Sequence, residues 1–104
     1  MMSRVSSSTL THLQPLLDEL DLVPGLVQVK PAIFYCRRLP MLHFHEAEQG
    51  GGDVCIVADV KCVLPVPSGF DRMTIVTAAD KKRLIKAVTA RCEILLVNHA
   101  VKRA

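Results

Sequence analysis

The spacing of hydrophobic residues changes along the chain and predicts an N-terminal helix followed by strands. Leucines recur every three or four residues over positions 10–20, which is the pattern of an amphipathic helix. From Val27 onward, β-branched and aromatic residues are typical of strands. Pro31 indicates either a break between two short strands or a position on the sheet edge. The Pro24–Gly25 pair is expected to end the helix, because proline cannot continue it and glycine supplies a turn.

The central part of the chain is predicted to form an antiparallel hairpin and one short strand. Residues 41–46 and 53–63 are the hairpin strands, and the glycine-rich segment between them is the connecting loop. A loop containing proline and glycine precedes the short strand at 72–76. The helical spacing returns after Asp80 and continues without a break through 93–97. We therefore expect one long helix there rather than a fifth strand.

These elements predict an α+β fold. It consists of an N-terminal helix, an antiparallel sheet of three to four strands, and a long C-terminal helix packed on one face. A chain of 104 residues is within the size of one domain, so we expect a single domain over residues 1–104. The polar residues 1–7 are expected to be disordered.

Residue types near the two helix starts have the form of capping boxes. In such a box, side chains accept hydrogen bonds from the free backbone N–H groups of the first turn. The first candidate is Thr11 with Gln14, and the second is Thr77 with Asp80. A start near Thr11 would place Pro15 in or near the first turn, where its missing N–H costs no helical hydrogen bond.

The composition excludes several classes of protein. Hydrophobic residues make up 50% of the chain and charged residues 22%, which is typical of a globular domain rather than a disordered segment. No apolar run approaches the roughly 20 residues of a membrane-spanning helix, and the first residues lack the apolar region of a signal peptide. The four cysteines show no Cys-x-x-Cys spacing, so we expect a cytoplasmic protein with reduced thiols.

The charge and the aliphatic content bear on possible partners. Thirteen basic and ten acidic residues give a net charge of +3, which is mild for a nucleic-acid-binding protein. Weak nucleic-acid binding stays an alternative because of five basic residues: Arg37, Arg38, Lys81, Lys82 and Arg83. A small domain rich in aliphatic residues is short of interior in which to bury them, so we expect a homodimer.

The predicted hairpin collects polar side chains on one face of the sheet. Side chains alternate across a strand, so Leu42 and Phe44 face one side while the residues beside them face the other. Pairing the apolar positions of both strands fixes the register, since a slip of one residue would expose them. The opposite face then holds five polar side chains: His43, His45, Asp53, Cys55 and Asp59.

These five side chains are predicted to form a ligand-binding site, and three interpretations stay open. Imidazole nitrogens ligate zinc, copper, iron or nickel, so His43 and His45 could hold a divalent metal ion with a cysteine or aspartate. The same histidines could act as general acid and base near neutral pH. Polar pairs are also ordinary on the solvent face of an antiparallel hairpin.

Several short motifs occur in an order that resembles a known family. They are Pro-Gly-Leu at 24–26, Leu-His-Phe-His at 42–45, Ala-Asp-Val at 58–60, Ser-Gly-Phe at 68–70 and the helical sequence that follows. The order is similar to that of the small bacterial luciferase-like domain family, over about Pro24 to Val88. The resemblance implies no reaction, and it implies that five residues are motif positions: His43, His45, Asp59, Ser68 and Gly69. Phe70 stands where the resemblance leads us to expect tryptophan.

The sequence thus predicts a cytoplasmic ligand-binding or protein-interaction module. The alternative is a metal-dependent or acid–base enzyme that uses His43 and His45, and a weak nucleic-acid binder is the second alternative. A divalent metal is the only cofactor that the residues suggest.

Overall fold

The computed structural model describes residues 2–48 and 54–103, which form six strands and two helices. The strands are β1 (Met2–Arg4), β2 (Leu26–Lys30), β3 (Ile33–Cys36), β4 (Leu39–Glu48), β5 (Val54–Lys61) and β6 (Phe70–Ile75). The helices are α1 (Ser7–Leu20) and α2 (Ala78–Arg103). The α+β fold class is confirmed, and the sheet has more strands than the three to four that the sequence predicts.

All strand pairs are antiparallel, and two strands share one edge of β4. The main order is β2-β3-β4-β5-β6, with β1 also beside β4. Pairing with β3 ends at His43, and pairing with β1 begins at His45. Between these two stretches, the Phe44 N–H donates a hydrogen bond of 3.1 Å to the carbonyl oxygen of Ala32. The sheet therefore has a gap between the end of β1 and the start of β3.

Both helices contribute to a single apolar core on one face of the sheet. Four leucines of α1 and four residues of α2 are buried against inward-facing residues of the central strands. The fully enclosed side chains include Phe34, Leu42 and Val60 from the sheet and Leu84 and Val88 from α2. The opposite face of the sheet, called the outer face below, carries the histidines.

Residues 2–4 and 6–7, which belong to the segment expected to be disordered, lie in β1 and at the start of α1. Residues 2–4 pair with β4, and α1 begins at Ser7. Ser6 is the N-cap, and its hydroxyl accepts a hydrogen bond of 3.3 Å from the Thr9 N–H. The Ser6 N–H donates in turn to the Glu46 carboxylate at 3.1 Å. This contact with β4 holds the helix start in place.

Because α1 begins before Thr11, the predicted capping box of Thr11 with Gln14 is wrong. Thr11 lies inside the helix, where its hydroxyl donates to the Ser7 carbonyl oxygen. Pro15 lies in the interior of α1, where it lacks the N–H that would bond to the Thr11 carbonyl oxygen. The burial of the leucine face offsets this loss, since tertiary packing supplies most helix stability in proteins.

The capping box at the start of α2 is confirmed. The Asp80 N–H donates to the Thr77 hydroxyl at 3.1 Å, and the Asp80 carboxylate accepts from the N–H groups of Thr77 and Val76 at 2.9 and 3.0 Å. The hydrogen bond from Thr77, and then that from Val76, lowers the pKa of Asp80 from 3.8 to about 2. The helix then continues through 93–97, as the unbroken spacing predicts.

The tight turns on either side of β3 contain non-glycine residues in the left-handed conformation. The predicted break at Pro31 is confirmed, and Ala32 after it has φ 64°. Arg37 and Arg38, with φ 54° and 68°, form the two-residue turn between β3 and β4. A two-residue hairpin turn often requires positive φ angles at both of its central residues. Asparagine and glycine adopt such angles most readily. Strand pairing around the turn therefore holds both arginines in the left-handed conformation, which is uncommon for residues other than glycine.

We expect Asp80→Ala to lower the melting temperature at pH 7 by a few degrees, because two N–H groups lose their acceptor. The folded pKa lies below the unfolded value, so the stability contributed by the carboxylate is present above pH 3.8 and is lost as the pH falls to about 2. Melting curves of both proteins between pH 7 and pH 2 should therefore converge at the acidic end. Glu93→Ala, which removes an exposed carboxylate from the middle of α2, is the control. An equal loss in the control would contradict this role for Asp80.

Candidate functional site

The register of β4 with β5 brings the predicted polar residues together on the outer face. His43 lies opposite Asp59, and His45 lies opposite Val57. The residues that alternate with them on β4, Leu42 and Phe44, are buried in the core. The two strands thus pair apolar with apolar positions around the histidines, as the alternation predicts.

Three ligand atoms converge at this point. The Nδ1 atom of His43 lies 2.6 Å from Nε2 of His45. The Oδ2 atom of Asp59 lies 3.7 Å from the first of these nitrogens and 3.4 Å from the second. Asp59 is buried, with 6% of its surface exposed, and it is the sole buried polar or charged residue in the described part of the chain. The histidine side chains remain about a quarter exposed, at 25% and 27%.

Arg72 completes the group, although no pattern in the sequence singled it out. It lies on β6 directly opposite Asp59. Its Nε atom donates to Oδ1 of Asp59 at 2.9 Å, and its Nη2 atom donates to Oδ2 at 3.3 Å. The hydrogen bond to Asp59 is the main cause that raises the pKa of Arg72 above its ordinary value. The register between β5 and β6 places Arg72 beside Asp59, and the pattern of the hairpin alone does not define that register.

Neutral imidazole is the form of His43 that the surroundings favour. Burial is the largest cause that lowers its pKa below 6.5, and the neighbouring His45 adds to the effect. Asp59 acts in the opposite direction but does not reverse the shift. A neutral ring has a free lone pair, so His43 can accept a proton or ligate a metal at neutral pH.

The Ser-Gly-Phe motif reaches the site through its aromatic residue. The Phe70 ring packs edge-on against His43, with 4.8 Å between ring centroids, and Lys61 Nζ lies 4.9 Å from the Phe70 centroid. Ser68 and Gly69 shape the preceding turn. The Ser68 N–H donates to the Cys62 carbonyl, and the Gly69 carbonyl accepts from the Cys62 N–H. The motif therefore positions Phe70 over one side of the histidine pair.

The two other predicted site residues do not join this group. Cys55 lies opposite Ala47, nearer the hairpin loop, and it is outside the described set whose ligand atoms fall within 4.8 Å of one another. Asp53 lies outside the described residues. The site that the structure supports is thus His43, His45 and Asp59, with Arg72 and Phe70 beside them. We call His43, His45 and Asp59 the histidine–aspartate cluster.

A cavity of about 480 Å³ opens beside the cluster, at the gap between β1 and β3. His43 and His45 form part of its wall. Its lining residues are Arg4, Val5, Leu10, Lys30, Pro31, Ala32, Ile33, Tyr35, Pro40, His43, Phe44 and His45. The volume lies within the usual range for small-molecule sites, about 300–1,000 Å³.

The two core cysteines are unsuited to nucleophilic chemistry. Cys36 and Cys92 are buried, and burial raises the pKa of both thiols, that of Cys92 to about 12. The thiolate is the reactive form, so these residues serve as packing.

Comparisons with known proteins add no family assignment. No protein-family model, no curated protein and no solved structure matches the chain. The resemblance to the luciferase-like domain family therefore stays a prediction. Neither helix in residues 2–48 and 54–103 combines the length and the apolar character needed to cross a membrane.

We expect Arg72→Met to lower the free energy of unfolding by more than the loss of a surface ion pair does, because the buried carboxylate of Asp59 loses its charged partner. Arg83→Met is the matched control. Arg83 pairs with Asp80 at the surface, and exposed ion pairs contribute about 0–1 kcal/mol. Urea unfolding at pH 7 measures both changes in the free energy of unfolding. Equal effects of the two substitutions would show that Arg72 does not hold Asp59 as the geometry indicates.

Proposed function

We propose that this protein is a ligand-binding module whose histidine–aspartate cluster binds a divalent transition-metal ion. The observation that carries the proposal is the convergence of two imidazole nitrogens and one carboxylate oxygen, with separations of 2.6, 3.4 and 3.7 Å. Three protein ligands would leave a further coordination position for water or a small molecule.

The separations are close to those that a zinc-sized ion requires. Bonds of about 2.0–2.1 Å in a tetrahedral arrangement place neighbouring ligand atoms about 3.3–3.4 Å apart. The aspartate oxygen meets this distance to His45 and nearly meets it to His43. The two nitrogens, at 2.6 Å, would have to separate by less than 1 Å, which small rotations of two partly exposed rings can supply.

The charges around the cluster favour nitrogen-preferring metals over calcium or magnesium. Asp59 is the single carboxylate of the set, and Arg72 balances its charge. Hard cations prefer several oxygen ligands, whereas imidazole suits zinc, copper and nickel. The Arg72 Nε bond to Oδ1 also fixes the carboxylate while Oδ2 faces the histidines, as outer partners of metal ligands commonly do.

Other interpretations stay predictions. These are the protein-interaction, acid–base and nucleic-acid interpretations, the homodimer and the cytoplasmic location. The basic residues expected to support nucleic-acid binding include Arg83, which already pairs with Asp80.

Calorimetric titration of the metal-free protein with Zn²⁺ and Ni²⁺ tests the proposal. We expect a dissociation constant in the micromolar range or tighter, and at least a tenfold loss, about 1.4 kcal/mol, in His43→Ala and in His45→Ala. Protonated imidazole cannot ligate a metal. Because the pKa of His43 is lowered from 6.5, chiefly by burial, affinity should change little from pH 8 to pH 7 and should fall once the pH drops below that value and the ring protonates.

Two controls separate this cluster from other ligands in the chain. His12→Ala removes an exposed histidine of α1, and Cys55→Ser removes the half-buried thiol on β5; both variants should bind as the wild type does. Mg²⁺ should give no heat of binding at comparable concentrations. Wild-type affinity in both histidine variants would exclude the cluster as the metal site.

A further inference from the structure

We infer that the cavity between β1 and β3 binds a small organic carboxylate with an apolar body, whose charged group is held by Arg4 and Lys30. This inference goes beyond the proposed metal site. It rests on different side chains, and its test can succeed or fail independently.

The first support is the charge of the lining. Two cationic side chains, Arg4 and Lys30, stand at the cavity, and none of its twelve lining residues is acidic. Among the described residues, neither cation takes part in an ion pair. A cavity with unbalanced positive charge complements an anionic ligand.

The strand register places the two cations on either side of the gap between β1 and β3. Arg4 pairs with His45 across β1 and β4. Lys30 pairs with Ile33, which in turn pairs with His43. Cross-strand partners project to the same face of a sheet, so Arg4 shares the face of His45. Lys30 lies at the sheet edge beside the turn, where it lines this cavity and a second cavity next to α1.

Glu46, the acidic residue next to His45 in the sequence, does not neutralise the positive charge of the cavity. Glu46 follows His45 and therefore projects to the opposite face of β4. There its carboxylate accepts hydrogen bonds from Ser6 and from the Thr9 hydroxyl. These contacts occupy Glu46 at the start of α1, which leaves the positive charge of Arg4 available to a ligand.

The second support is the apolar remainder of the lining. Leu10 from α1, Ile33 from β3 and Phe44 from β4 are among the residues that surround the space. Such walls favour a hydrocarbon or aromatic body over a sugar or an inorganic ion, because burial of apolar surface is favourable by roughly 25 cal/mol per Å². The combination of a cationic rim and an apolar wall selects an amphipathic anion of small size.

Tyr35 provides a direct probe of this cavity. It is the single tyrosine in a chain that contains no tryptophan, and it lines the cavity. Its intrinsic fluorescence therefore reports on the cavity without labelling. Octanoate suits the titration because it joins a carboxylate to an apolar chain and does not absorb at the excitation wavelength. Octanamide, similar in shape and uncharged, tests the contribution of the charge.

We expect octanoate to change the Tyr35 fluorescence in a saturable way and octanamide to bind about tenfold more weakly. The double substitution Arg4→Gln/Lys30→Gln should weaken octanoate binding by about tenfold or more and remove the preference over octanamide. Lys82→Gln/Lys86→Gln removes the same charge from exposed positions on α2, and it should bind octanoate as the wild type does.

The outcomes separate this inference from the metal proposal. Titrations with EDTA present test the cavity without metal, and octanoate binding there would support the inference even if Zn²⁺ does not bind. Equal affinity for octanoate and octanamide would overturn the assignment of an anionic ligand. Equal losses of octanoate affinity in the two double variants would overturn the assignment to Arg4 and Lys30, because the effect would then come from net charge alone. Absence of a saturable response up to millimolar octanoate, in a folded protein, would also overturn it.

Discussion

The register between β4 and β5 is the constraint on which the other features depend. Leu42 and Phe44 are buried against the helices, and their partners Val60 and Ala58 are buried with them. A shift of one residue would move these side chains to solvent and carry the histidines into the core. The free energy of this burial therefore fixes the position of His43 opposite Asp59, although neither residue belongs to the apolar core.

The same pairing extends across the whole sheet as a row of side chains. Lys30, Ile33, His43, Asp59 and Arg72 follow one another on five neighbouring strands. Asp59 and Arg72 balance each other at one end of the row, and the neutral His43 stands at its centre. The charge of Lys30 at the other end forms no ion pair among the described residues. The net charge along this row is therefore close to zero at the histidine–aspartate cluster and positive at the cavity.

Regular periodicity explains which features the sequence could predict. The leucine spacing of α1, the alternation along β4 from Leu42 to His45, and the Thr77 cap of α2 all follow from local patterns, and each appears in the structure. Along β5 the four residues 57–60 are all buried, so its two faces differ in chemistry and not in burial. The strand β1 has three residues, which is too short to show a period, and its pairing with β4 is a tertiary contact. The Ser6 cap depends on Glu46, forty positions away. Arg72 required the register of a third strand, which the hairpin alone does not define.

The turn between β3 and β4 is built from residues that do not favour its backbone conformation. Arg37 and Arg38 both adopt positive φ angles, although an Asn-Gly pair would hold the same backbone with less strain. Local conformational preference therefore did not select these residues. Replacing Arg37 and Arg38 by Asn-Gly should therefore stabilise the protein, and neither residue lines the cavity or belongs to the histidine–aspartate cluster. Such a substitution could offset the destabilising effect of a change made in the site.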